Sequence, residues 1–221
     1  MGTIRLVCFD FDGTIADTMP ILERNAIKLM RKYHRGLSVE EARSRYRATT
    51  GLPFEQQVEM IFPGHPKNMS LIEEFEEEKI DCVYEQELFP ETKEAVQTIR
   101  SMGLKTAVSS STYKEIIDAY LRKKSADMLF DCVLGFRHGF EKGKHHFDFL
   151  SRTFRLPPTE MVFIGDSLKD MERAVASGVH FIGRLSLMNK SPADFSLKMD
   201  GRQLNFPTIN DLREVIQYLE K

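Results

Sequence analysis

Residues 3–14 read TIRLVCFDFDGT. From Thr3 to Phe9 the run is short, apolar and rich in β-branched side chains, the composition of a strand buried on both faces. It stops abruptly at Asp10. Runs of the same kind recur at residues 104–109 (LKTAVS), 130–134 (FDCVL), 161–164 (MVFI) and 179–182 (VHFI). Between them, residues 113–124, 145–154 and 169–177 have helical spacing. Strand alternating with helix predicts an α/β fold, a doubly wound, Rossmann-like parallel sheet wrapped by helices.

Residues 19–86 interrupt that alternation. Amphipathic helical patterns occupy 20–33, 38–47, 54–62 and 70–85, and no strand run appears among them. Ser38 with Glu41, and Ser70 with Glu73, each fit a capping box. We therefore expect residues 17–88 to form an inserted α-helical cap subdomain, and residues 1–16 and 89–221 to form the core domain. The acidic run 73–78 (EEFEEE) reads as a solvated helix face. Near the C-terminus, Asp200-Gly201 within residues 195–206 signals a hairpin, and residues 208–219 read as a closing amphipathic helix.

The chain of 221 residues is long enough for one core with an inserted subdomain. Its 31 Lys and Arg against 33 Asp and Glu leave a net charge of -2, so no global field draws it to nucleic acid or to a membrane surface. Three cysteines, Cys8, Cys82 and Cys132, are too few and too far apart for a disulfide framework or a metal knuckle. No charged leader precedes a long apolar run, and nowhere do about 18 apolar residues follow one another. A cytoplasmic protein acting on a small molecule, as a monomer or weak homodimer, is the expectation.

Ligands of doubly wound sheets bind beyond the carboxyl ends of the strands. After the first run come Asp10 and Asp12 with Gly13; after the second, Ser109, Ser110 and Ser111; after the fourth, Gly165-Asp166-Ser167, with Asp170 one helical turn further. Four carboxylates and a hydroxyl cluster are thereby expected at one sheet edge. Such an oxygen-rich pocket suits Mg²⁺, because carboxylates crowded together gain by taking up a cation. A cation in turn lets a dianionic substrate approach an anionic nucleophile.

DFDGT near the N-terminus, a serine after the next core strand, a lysine before a helix, and GDSLKD after a later strand together resemble the haloacid dehalogenase superfamily of phosphotransferases. These motifs span residues 10–170 in the family's order. The helical insertion matches the cap position of the subgroup that includes phosphoglycolate phosphatase and β-phosphoglucomutase. The resemblance implies Asp10 as the nucleophile of an aspartyl-phosphate intermediate and Asp12 as general acid and base. It implies Mg²⁺ held by Asp10, by the backbone carbonyl of Asp12 and by Asp166, with Asp170 steadying the coordination sphere. Ser110, and with it Ser111, would hold phosphoryl oxygens, while Ser109 and Thr112 read as a polar strand end and helix cap. Lys142 and Lys144 both stand before a helix in EKGKHHF. Lys142 is preferred for its spacing from Asp166, although Gly143 follows it where the family often has proline.

Asp12 separates the chain from the family's dehalogenases and phosphonatases, which lack an aspartate there. A Mg²⁺-dependent phosphomonoester hydrolase is the first expectation. A sugar-phosphate mutase and a non-catalytic phospholigand-binding protein are the alternatives. Arg47 and the turn 51–54 (GLPF) read as a specificity loop, with Arg47 either an anion contact or one of several surface arginines. His145 and His146, being adjacent, cannot share a metal and read as capping or surface residues. Cys8 and Phe11 are expected in the core.

Overall fold

The structure, a computed structural model, describes residues 3–186, 191–199 and 201–219. Strand β1 (Leu6–Phe9) forms the centre of a six-stranded sheet with β2 (Lys105–Tyr113), β3 (Cys132–Phe136), β4 (Met161–Gly165), β5 (His180–Arg184) and the two-residue β8 (Thr208–Ile209). The order is β3-β2-β1-β4-β5-β8, and all pairs are parallel. All four residues of β1 are buried, as a central parallel strand requires. Val7 and Phe9 face one hydrophobic cluster with Val108, Val162 and Ile164, while Leu6 and Cys8 face a second with Ala107 and Phe163. This is the doubly wound sheet anticipated from the apolar runs.

After β1 the insert contributes four helices: α1 (Met19–Tyr33), α2 (Val39–Thr49), α3 (Phe54–Ile61) and α4 (Asn68–Glu85). Ser38 and Glu41 make the expected capping box on α2. The one expected at Ser70 and Glu73 is absent, because α4 begins two residues earlier, at Asn68, and Ser70 falls inside its first turn. The acidic run on α4 is not simply solvated. Glu74 and Glu78 close on Lys32 and Lys28 of α1, at 2.6 Å each.

The chain enters and leaves this helical insert side by side. Ala16 pairs with Leu88 in an antiparallel bridge, and backbone hydrogen bonds run from Asp17 N–H to the Glu87 carbonyl and from Phe89 N–H to the Ile15 carbonyl. Arg184, at the end of β5, fastens the crossing. It is buried, donates to the Thr14 carbonyl at 3.0 Å, pairs with Glu91 at 2.7 Å and lies 3.8 Å from the Phe89 ring centre.

The remaining helices are α5 (Thr92–Ser101), α6 (Lys114–Lys123), α7 (Lys144–Phe154), α8 (Leu168–Ala176) and α9 (Ile216–Leu219). Helix α5 has no counterpart in the sequence reading, since its buried stripe is only Thr92, Ala95, Val96 and Ile99 in a polar segment. The hairpin forms as β6 (Ser196–Met199) and β7 (Arg202–Asn205), with Asp200 of its turn outside the described residues. The expected terminal helix over 208–219 is broken up. Residues 208–209 join the sheet, Asp211 caps a 3₁₀ turn through a capping box with Glu214, and four helical residues follow.

Candidate active site

The site is assembled at the carboxyl ends of β1, β2 and β4. Asp10 follows β1 and is buried, its N–H bonded to the Ile164 carbonyl at 2.8 Å. Phe11 turns into the core against Tyr120, with ring centres 5.0 Å apart. Gly13 adopts φ +77°, and a Cβ there would stand 2.4 Å from Asp166 Oδ2. Only glycine lets the β1 loop lie so close to the β4 loop. Both carboxylate oxygens of Asp12 are held at 2.6 Å, one by the Thr18 hydroxyl at the start of α1 and the other by the Thr112 hydroxyl.

Beyond β4, Ser167 and Asp170 form the capping box that starts α8. Asp170 has a second task. Lys142 Nζ lies 2.7 Å from Asp170 Oδ1 and 2.8 Å from Asp10 Oδ1, with all three side chains nearly sealed from solvent. Lys144, by contrast, is exposed and pairs with Asp148 one turn along α7. Gly143 has φ +106°, which proline cannot adopt, so its presence where proline was expected follows from the backbone.

Asp10, Asp166 and Asp170 offer oxygen atoms that all lie within 4.8 Å of one another. Burial pushes the Asp10 carboxyl well above its ordinary range; the Lys142 charge pulls it down while Asp170 and Asp166 push it up. Burial, then the Asp170 charge, raises Asp166 to about 7. For Lys142 burial acts downward, but the two carboxylates outweigh it and the ammonium is held above its usual value. A buried cluster whose donors are all carboxylate oxygens fits a hard divalent cation such as Mg²⁺.

The end of β2 supplies hydroxyls. Ser110 is buried on the cleft wall, its oxygen accepting from Thr112 N–H at 3.0 Å. The Ser111 hydroxyl donates to the Gly51 carbonyl at 2.8 Å, and Arg173 of α8 donates to the same carbonyl at 2.6 Å. Ser109 is more than a strand end, because its hydroxyl meets His146 Nδ1 at 2.8 Å. The surface reading of His146 is therefore wrong: it is buried on the inner side of α7, against Phe140, and burial lowers its pKa to about 3. His145 has a capping role, its Nδ1 accepting from Glu141 N–H at 3.2 Å.

These groups open on one cleft between the sheet and the helical insert. Asp10, Asp12, Asp166, Lys142, Ser110 and Thr112 line its floor; Tyr46, Leu52, Phe54, Gln57, Phe75 and Lys79 of the helical insert line its roof. The turn at 51–54 thus reaches the site as anticipated. Arg47 does not line the cleft. Its guanidinium pairs with Glu23 of α1 at 3.0 Å, which withdraws it from any anion. Thr112, Lys79, Arg173 and His146 enter the site's surroundings unannounced by any local pattern.

Residues 7–184 match the model of the haloacid dehalogenase-like hydrolase family. A haloacid dehalogenase-like hydrolase domain-containing protein of Arabidopsis thaliana is 26% identical over 98% of this chain and 84% of its own length. A phosphoglycolate phosphatase of Pseudomonas savastanoi pv. phaseolicola is 22% identical over 79% of this chain and 67% of its own. Among solved structures, a haloacid dehalogenase-like hydrolase of Streptococcus pneumoniae superposes with a TM-score of 0.79 at 19% identity, covering 99% of both chains. With the parallel sheet, the strand-end carboxylates and the buried lysine in place, and most of its length matched, this chain belongs to the haloacid dehalogenase-like hydrolase family.

Proposed function

We propose that the protein is a Mg²⁺-dependent phosphatase that hydrolyses a small phosphomonoester through phosphorylated Asp10. The observation that carries this reading is the buried trio Asp10, Asp166 and Asp170, bridged by Lys142 at the floor of one cleft. The likeness to a phosphoglycolate phosphatase supports phosphate-ester chemistry.

Asp10, Asp166 and the Asp12 backbone carbonyl are the groups that would hold Mg²⁺, steadied by Asp170. The ion supplies positive charge that lets a phosphoryl dianion approach a carboxylate. Asp10 attacks phosphorus; the new oxygen–phosphorus bond forms as the bond to the leaving alkoxide breaks. Asp12 gives that oxygen its proton, then takes one from the water that cleaves the acyl phosphate and returns Asp10. Thr18 and Thr112 fix the Asp12 carboxyl for both transfers. Ser110, and Ser111 on exchanging its bond to Gly51, hold non-bridging oxygens, and Lys142 offsets charge that builds in the transition state. Residues 17–88 serve as a cap that closes the cleft against water.

Incubation with p-nitrophenyl phosphate tests this directly. Hydrolysis should require Mg²⁺, cease with a chelator and resume when the ion is restored; no metal-dependent release of phosphate from any phosphomonoester would overturn the reading. Inorganic phosphate as sole product from a hexose 1-phosphate, without isomerised sugar, separates hydrolysis from a mutase.

Protons and Mg²⁺ should also compete. In the metal-free protein Asp166 titrates near 7, above the ordinary aspartate value of about 3.9. Between those pH values the unfolded chain has shed a proton that the folded one keeps, so stability falls as pH rises, and the whole loss is present above 7. Mg²⁺ binds the ionised cluster and reverses it. The rise in Tm on adding Mg²⁺ should therefore be larger at pH 8 than at pH 5, by differential scanning fluorimetry. Equal rises at both would contradict the assignment.

A further inference from the structure

Arg173 of α8 reaches from the sheet side of the cleft to the helical insert. Its guanidinium donates to the Gly51 carbonyl at 2.6 Å, which among the described residues is its one hydrogen-bond partner. A Cβ at Gly143 would stand 3.1 Å from Arg173 Cγ and 3.2 Å from Cδ, so that glycine gives the arginine its path. Gly51 is itself pressed onto the sheet side: it has φ +95°, and a Cβ there would stand 2.5 Å from Ser167 Oγ. Two donors converge on its carbonyl, Arg173 and, at 2.8 Å, the Ser111 hydroxyl. A carbonyl oxygen has two lone pairs and accepts both, but a hydroxyl has one proton and cannot serve Gly51 and a phosphoryl oxygen together. Once Ser111 turns to the phosphoryl group, the Gly51 carbonyl keeps Arg173 alone. The nearby polar links between insert and sheet side, Gln56 to Glu141 at 3.1 Å and Glu55 to His138 at 3.7 Å, start from α3 and do not hold the turn itself.

We propose, resting on the phosphatase reading, that Arg173 is a positioning residue that keeps the turn 51–54 seated on the site while the substrate draws Ser111 away. Leu52 and Phe54 then go on covering the cleft, and water stays out. Without Arg173, binding of the phosphoryl group would release the turn, and binding and closure would oppose each other.

Hydrogen exchange of the peptide covering residues 50–58, read by mass spectrometry in Mg²⁺, tests this on adding inorganic phosphate at concentrations that inhibit p-nitrophenyl phosphate hydrolysis. In the native protein phosphate should leave exchange unchanged or slow it. In Arg173→Met, which keeps the stem and removes the donors, phosphate should speed exchange about 10- to 100-fold, the weight of one hydrogen bond from a charged donor. Arg173→Lys, which keeps charge and a donor, should restore the native response. Arg173→Gln repeats the test should methionine disturb α8, with thermal melts confirming that each variant is folded. A merely structural arginine would speed exchange equally with and without phosphate; that result, or the same response to phosphate in native and variant, overturns the role of Arg173 alone. Absence of Mg²⁺-dependent phosphate release by the native protein, measured in parallel, overturns the phosphatase reading and this inference with it.

Discussion

Asp10→Asn is expected to lower kcat by about 10,000-fold or more, since loss of a covalent nucleophile removes the reaction path rather than one contact. An amide of the same shape cannot accept the phosphoryl group as an acyl phosphate. The fold should survive, because burial and the Asp166 and Asp170 charges disfavour the Asp10 carboxylate, and a neutral side chain escapes that cost. Lys142 keeps its 2.7 Å pair with Asp170. The metal-free variant should accordingly melt no lower than the native protein at pH 8. Activity within tenfold of native, in a preparation shown by mass spectrometry to retain asparagine, would refute Asp10 as nucleophile.

Lys142→Met should damage both stability and rate. Removing one partner of a buried ion pair costs about 3–5 kcal/mol, because the remaining charge is left without a counter-ion. Here two carboxylates are abandoned, at 2.8 and 2.7 Å from the lost ammonium. A fall in Tm of roughly 10 °C or more without Mg²⁺ follows for a chain of this length. Asp10 must then ionise against its burial without the ammonium's help, so the deficit should be deeper at pH 8 than at pH 5, and Mg²⁺ should recover part of it. The rate should drop about 100- to 1,000-fold even at saturating Mg²⁺, as when a preorganised transition-state charge is deleted. Lys144→Met, which breaks only an exposed i,i+4 pair, should change Tm and rate little. Equal effects of the two substitutions would show that Lys142 has no special place.

What could be read before folding was whatever lies within one continuous segment. DFDGT and GDSLKD each place an apolar strand, a turn and its carboxylates in a single stretch, so the strand ends and the acidic set were legible together. Contacts made by approach of distant segments were not. His146 was misplaced because nothing near it in sequence indicates Ser109, 37 residues away, as its partner. Arg47 was weighed as a ligand because Glu23, 24 residues earlier, carries no local mark of the pairing. Lys79 stood beside an acidic run that reads as solvated, and only the packing of α4 against α1 separates its outward from its inward carboxylates. Helix α5 and strand β8 escaped for a simpler reason: a narrow buried stripe and a two-residue strand lie below what periodicity resolves.

The bridge between Ala16 and Leu88 brings the two ends of the helical segment to one point on the sheet domain. The entropy of closing a loop depends on its ends and grows slowly with its length, by about 0.6 kcal/mol for each doubling. To the strands, then, any segment whose termini meet there is nearly interchangeable with any other. Recombination can lengthen, shorten or exchange the whole piece while Asp10 stays seated on β1. New substrate preferences are thereby open to this architecture by grafting, without re-evolving the chemistry that the graft would serve.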